Sequence, residues 1–143
     1  FCLVLGVLAG YDSAGKKRKS RVFDFVADEE DALRKAAENA DSVDFVSAID
    51  SIGTLEVSAE GESLDIERES GGVIKFRCGN EAVSSASCEW GFYYSPKDTP
   101  VNFYDAVCDA ALMEDGNGYA FSGSYDFYTE KICDNFWYYR ISD

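Results

Sequence analysis

Carboxylates dominate the chemistry open to this chain of 143 residues, which carries 27 Asp and Glu. Two such groups held close together serve as acid and base, as in the cleavage of glycosidic bonds. That use needs one carboxyl whose pKa is shifted by its surroundings, and no spacing here marks out such a pair. Histidine is absent. Its absence removes Ser-His-Asp and Cys-His nucleophile systems, His-ligated zinc and imidazole proton transfer. The five cysteines, Cys2, Cys78, Cys88, Cys108 and Cys133, include no CxxC pair. Neither a cysteine-only zinc site nor a dithiol redox motif is therefore spelled out. Asp115-Gly116-Asn117-Gly118 offers oxygen ligands but lacks the register of a calcium loop. Gly6, Gly10 and Gly15 are wrongly spaced for a phosphate cradle. No catalytic residue, metal or cofactor is assigned on these grounds.

Charge is unevenly spread. Lys16, Lys17, Arg18, Lys19 and Arg21 crowd into six residues, whereas residues 22–143 carry 26 acids against 8 bases. The net charge is -14, which repels phosphate backbones and anionic lipid and attracts basic proteins. An odd cysteine count without an Asn-x-Ser/Thr sequon suits a reducing compartment, so the expected location is cytoplasmic, in a host cell if the chain is viral. Cys78 and Cys88 could meet across a hairpin, but all five cysteines read better as small core residues.

The elements that must position these groups follow from periodicity. Residues 2–9 and 22–26 read as two apolar strands joined by a basic loop at 16–21. Asp28 caps a helix whose stripe is Leu33, Ala36, Ala37 and Ala40. A short helix is expected near 42–52. Residues 54–60 and 63–69 alternate as a strand pair, Leu64 and Ile66 inward, with Gly71-Gly72 turning into strands 73–78 and 87–94. Thr99 and Pro100 start a helix running to about 114, Phe103 on its inner row. Strands 119–128 and 131–141 close the chain. The expected architecture is a single α+β domain over 1–143: a mainly antiparallel β-sheet packed with two or three short helices.

On that frame, Glu56, Glu60, Asp65, Glu67 and Glu69 form an outward acidic array, extended by Glu29, Glu30 and Asp31 of the first helix. Aromatic residues line the strands. If Phe136 and Tyr138 face inward, Trp137 and Tyr139 face outward and become anchors at a protein interface. The leading expectation is a non-catalytic binding module whose acidic face mimics nucleic-acid charge and blocks a basic nucleic-acid-binding protein or nuclease. A phage anti-defence or anti-CRISPR-type inhibitor is the concrete form. The alternatives are a nucleic-acid or ligand binder using the basic loop Lys16, Lys17, Arg18, Lys19 and Arg21, and a small carboxylate-dependent enzyme. No membrane partner is expected, because no stretch reaches the roughly 18–20 apolar residues that span a bilayer.

Overall fold

The computed structural model describes residues 2–38, 65–83, 86–103, 112–122 and 126–142. Helix α1 (Cys2–Glu38) is followed by β1 (Asp65–Arg68), β2 (Ile74–Val83), β3 (Ala86–Tyr94), β4 (Met113–Asp115), β5 (Gly118–Ser122), β6 (Asp126–Cys133) and β7 (Phe136–Ser142). The strands make one sheet in the order β1-β2-β3-β7-β6-β5-β4, antiparallel at every pairing. This is an α+β fold with an antiparallel sheet, as the periodicity predicts.

The number and length of its helices differ from expectation. The hairpin predicted from 2–9 and 22–26 is replaced by one helix of 37 residues. Val22, Val26, Leu33, Ala36 and Ala37 recur at helical spacing, and all are buried. That stripe outweighs the short strand-like run Val22–Val26. The helix start read at Asp28 survives only as a kink, where Glu29 takes φ -109 and ψ 15. Pro100–Phe103 is not helical, and Met113 opens a strand rather than ending a helix. Residues 104–111 and the expected helix near 42–52 lie outside the described residues. The closing pair of strands is in fact three, because Asp134-Asn135 turns the chain from β6 into β7.

Both faces of the inner strands are buried. Phe76, Trp90, Phe92, Phe136 and Tyr138 pack beneath α1, with Phe76 and Phe92 stacked at 4.6 Å. Tyr93, Phe127, Trp137, Tyr139 and Ile141 fill the opposite face. The two described ends of the link from β3 to β4, residues 95–103 and 112, lie against that second face. Val101, Phe103 and Leu112 pack there, and Phe103 meets the Tyr93, Tyr139 and Phe127 rings edge-on at 5.0, 5.2 and 5.9 Å. A hydrogen-bond relay fixes the link. Val101 N–H donates to the Tyr93 hydroxyl (3.0 Å), which donates to Thr129 Oγ1 (2.6 Å), which donates to the Tyr138 carbonyl (2.8 Å). Gly91 lets β2 and β3 close up here, because a Cβ would stand 2.1 Å from the Phe76 carbonyl oxygen.

A second knot ties α1 to the sheet. Arg34 donates to Asn135 Oδ1 (2.8 Å), the Asp134 carbonyl (2.8 Å) and Glu30 (2.9 Å). Asn135 sits at φ 71, a conformation that Asn tolerates better than most residues. Its amide nitrogen donates to the Ser95 carbonyl (3.0 Å) and its backbone N–H to Asp98 Oδ1 (2.9 Å). Asn135→Ala should cost about 2–3 kcal/mol in denaturant unfolding, through lost hydrogen bonds and backbone strain. Asn135→Gly should recover part of that loss by relieving the strain alone. Equal losses in the two variants would show that the left-handed turn carries no strain.

Candidate functional site

The acidic residues do not form the single array expected. Asp31 is exposed on α1; Glu29 and Glu30 are half-buried, and Glu30 is paired with Arg34 at 2.9 Å. Glu67 is exposed and Glu69 half-buried, and both turn toward one cation. Asp65 belongs to β1, but its side chain is outside the described residues, as are Glu56 and Glu60 altogether. Two carboxylates missing from the expected set stand with Asp31. Asp24 and Asp28 are exposed, and with Asp31 they occupy i, i+4 and i+7 on the solvent side of α1. Asp24 and Asp28 are about 6 Å apart along the helix axis, and the kink at Glu29 separates them from Asp31. Helical spacing would have revealed the row once residues 22–38 were read as one helix.

Lys75 is the cation that gathers the β-sheet acids. It is 7% exposed, and its Nζ lies 2.9 Å from Glu67, 3.4 Å from Glu89 and 4.0 Å from Glu69. The Phe103 ring lies 5.2 Å from the ammonium, and Tyr139 donates to Glu89 at 2.8 Å. Burial works against the lysine's charge, but the hydrogen bond it donates to Glu67 and the field of Glu89 outweigh it and raise its pKa. Part of the outward acidic array is thus internal neutralisation.

Trp137 and Tyr139, expected to project as anchors, are buried at 5% and 0% exposure. The inward-or-outward choice assumed one wet face, whereas Val101, Phe103 and Leu112 pack on the second. Trp137 donates its indole N–H to Asp98 (3.3 Å).

The basic run is likewise not a loop tip. It lies along α1, where Arg18 stacks over Trp90 at 4.5 Å and Lys19 pairs with Glu130. Lys17 and Arg21 are exposed, and nothing is described of the Lys16 side chain.

Nucleophiles and metal ligands give no catalytic centre among the described residues. Cys78, Cys88 and Cys133 are free thiols. Cys88 pairs with Glu81 across the hairpin while Cys78 sits at a bulge, so the two are not opposite each other. Burial raises the Cys78 thiol well above its ordinary pKa and Cys133 to about 11, which keeps both protonated. No group of three or more His, Cys, Asp or Glu among the described residues could hold a metal ion. An open cleft of about 540 Å³ lies between the end of α1 and the β1–β2 edge, where Glu38, Arg68 and Glu69 rim an apolar floor of Val73, Ile74 and Tyr94. No family model, curated protein or solved structure matches the chain.

Titration of the buried tyrosines and of Lys75 gives two tests. Burial raises the Tyr93 and Tyr138 phenols to about 12, and burial with the nearby Glu89 carboxylate drives Tyr139 higher still. The folded chain then holds protons that the unfolded chain releases near pH 10. Stability is therefore intact below about pH 10 and falls as pH climbs toward 12. The raised Lys75 pKa acts in the same direction, its contribution being lost as pH passes its folded value. Circular dichroism should show a cooperative alkaline transition coincident with tyrosinate absorbance. Ionisation of these phenols ahead of unfolding would contradict the burial argument. Separately, Lys75→Met should cost about 2–3 kcal/mol at neutral pH by leaving three carboxylates unopposed.

Proposed function

We propose that the chain is a non-catalytic binding module that engages a basic protein through the exposed carboxylates of α1. The observation that carries this reading is the row Asp24, Asp28 and Asp31 on the solvent face of the helix, in a chain of net charge -14. The helix holds Asp24 and Asp28 one turn apart, with Asp31 just beyond the kink at Glu29, so ordering them for a partner's Lys and Arg costs little. The matching occupant is a groove that otherwise receives a nucleic-acid backbone, with the helix supplying negative charge in place of phosphates. An inhibitor of a nuclease or other nucleic-acid-binding protein is the form of such a module, and an anti-defence role is one setting for it. The aromatic anchors drop out of this reading, and so does the contribution of Glu67 and Glu69, which serve Lys75.

Immobilised protein should retain a basic partner at low salt and release it as salt rises or when duplex DNA is added. Replacing Asp24, Asp28 and Asp31 together by Asn should weaken retention roughly tenfold, three exposed pairs at about 0.5 kcal/mol each. Unfolding stability should hardly change. The reading fails if nothing basic is retained at low salt, or if retention is indifferent to both the triple replacement and competing DNA.

A further inference from the structure

Charge alone does not hold a partner. Three exposed ion pairs steer an encounter and improve affinity only about tenfold in all. Lasting contact needs apolar surface that leaves water at its centre. Trp137 and Tyr139 are buried, and among the described residues Met113 alone is a large apolar side chain in full exposure. Met113 opens β4, the edge of the sheet farthest from β1. Among the described residues, then, no large apolar side chain projects beside the acids of α1. What adjoins them is a recess. Glu38 stands seven residues after Asp31, and both lie beyond the kink at Glu29. The two are exposed on one side of the helix, about 10 Å apart along its axis. Glu38 and Ala37 form the α1 wall of the cleft of about 540 Å³, whose floor is Val73, Ile74 and Tyr94.

The rim says what kind of group enters. Arg68, on the sheet side, is already engaged within the chain, and Glu69 lies 4.0 Å from Lys75. Glu38 is therefore the carboxylate that the rim offers to a newcomer, in line with Asp31. The volume lies in the range of sites that enclose a drug-sized group, so a large apolar side chain fits with part of its backbone. An extended chain advances about 3.3 Å per residue, so about three residues cover the step from Asp31 to the cleft. We propose that the cleft receives a large apolar side chain of the basic partner. The partner presents it on an extended segment, with Lys or Arg beside it for Glu38 and another about three positions before it for Asp31. This rests on the acidic-helix reading above and adds to it the source of affinity. Charge brings the partner in, and the apolar residue sets how long it stays.

The full chain, labelled with nitrogen-15, should be titrated at low salt with a capped lysine pentapeptide carrying leucine at its fourth position. The same peptide with serine in place of leucine, and isoamylamine, are the comparison probes. The leucine peptide should bind about tenfold tighter than the serine peptide, the low end for burying one leucine side chain. It should also move the amide signals of Val73, Ile74 and Tyr94. Glu38→Lys turns attraction into repulsion and should weaken both peptides about fivefold. Replacing Asp24, Asp28 and Asp31 by Asn should weaken both peptides alike and leave the preference for leucine intact. Equal affinity of the two peptides, with both sensitive to the triple replacement, would overturn the cleft as an anchor and leave the acidic-helix reading standing. No binding of either peptide would overturn both. The cleft proposal also fails if the Val73, Ile74 and Tyr94 signals stay still, if Glu38→Lys changes nothing, or if isoamylamine binds as tightly as the leucine peptide, which would make the cleft a site for small amines.

Discussion

The pairing of β3 with β7 is the contact on which the rest of the molecule depends. It joins two meanders, β1–β3 and β4–β7, into one sheet and matches Tyr93 with Trp137, Phe92 with Tyr138 and Tyr94 with Phe136. Successive residues along these strands point to opposite faces, so one pairing builds both aromatic layers at once. Each layer then needs its own cover. Helix α1 supplies one through Val22, Val26 and Leu33, and the β3–β4 link supplies the other through Val101 and Phe103. The Arg34–Asn135–Asp98 knot sits at the end of this seam, where cover, turn and strand meet.

Central burial also explains where charge goes. With neither face of the inner strands wet, the carboxylates nearest the sheet must be satisfied internally. Glu67, Glu69 and Glu89 converge on Lys75, Glu130 on Lys19 and Asp98 on Lys131. Left over as an ordered, solvent-facing set are Asp24, Asp28 and Asp31 on the helix. The same helix carries the basic run of residues 16–21 directly before Asp24, so one element holds two opposed charge signals in succession.

Much of the strand pattern was legible in the residues. Alternation placed Trp90, Phe92 and Tyr94 on one face and Ile66 on the core side, and Gly71-Gly72 at a turn; both glycines take positive φ. The first forty residues misled because Val22-Phe23-Asp24-Phe25-Val26 alternates locally while Val22, Val26 and Leu33 obey a longer period. Only packing on a sheet decides between the two. The aromatic anchors were illegible for a related reason. Phe136-Trp137-Tyr138-Tyr139 has no alternation to read, and the residues that bury Trp137 and Tyr139 lie more than thirty positions earlier, at Val101 and Phe103. Of the acidic site, Asp31 was visible, whereas Asp24 was hidden inside a misread strand and Asp28 inside a misread cap. Lys75 could not be found from its neighbours in sequence, since its three carboxylates come from positions 67, 69 and 89.

Strand order has a consequence for biosynthesis. The third strand of the sheet waits for the seventh, and more than forty residues of chain separate them. On a ribosome, α1 and the first three strands emerge while β3 still has one open edge rich in Trp, Phe and Tyr. Such an edge invites pairing with another nascent chain until β7 arrives to close it. The high sequence separation of that closing step also makes it slow, so a chaperone's protection would matter most in this interval.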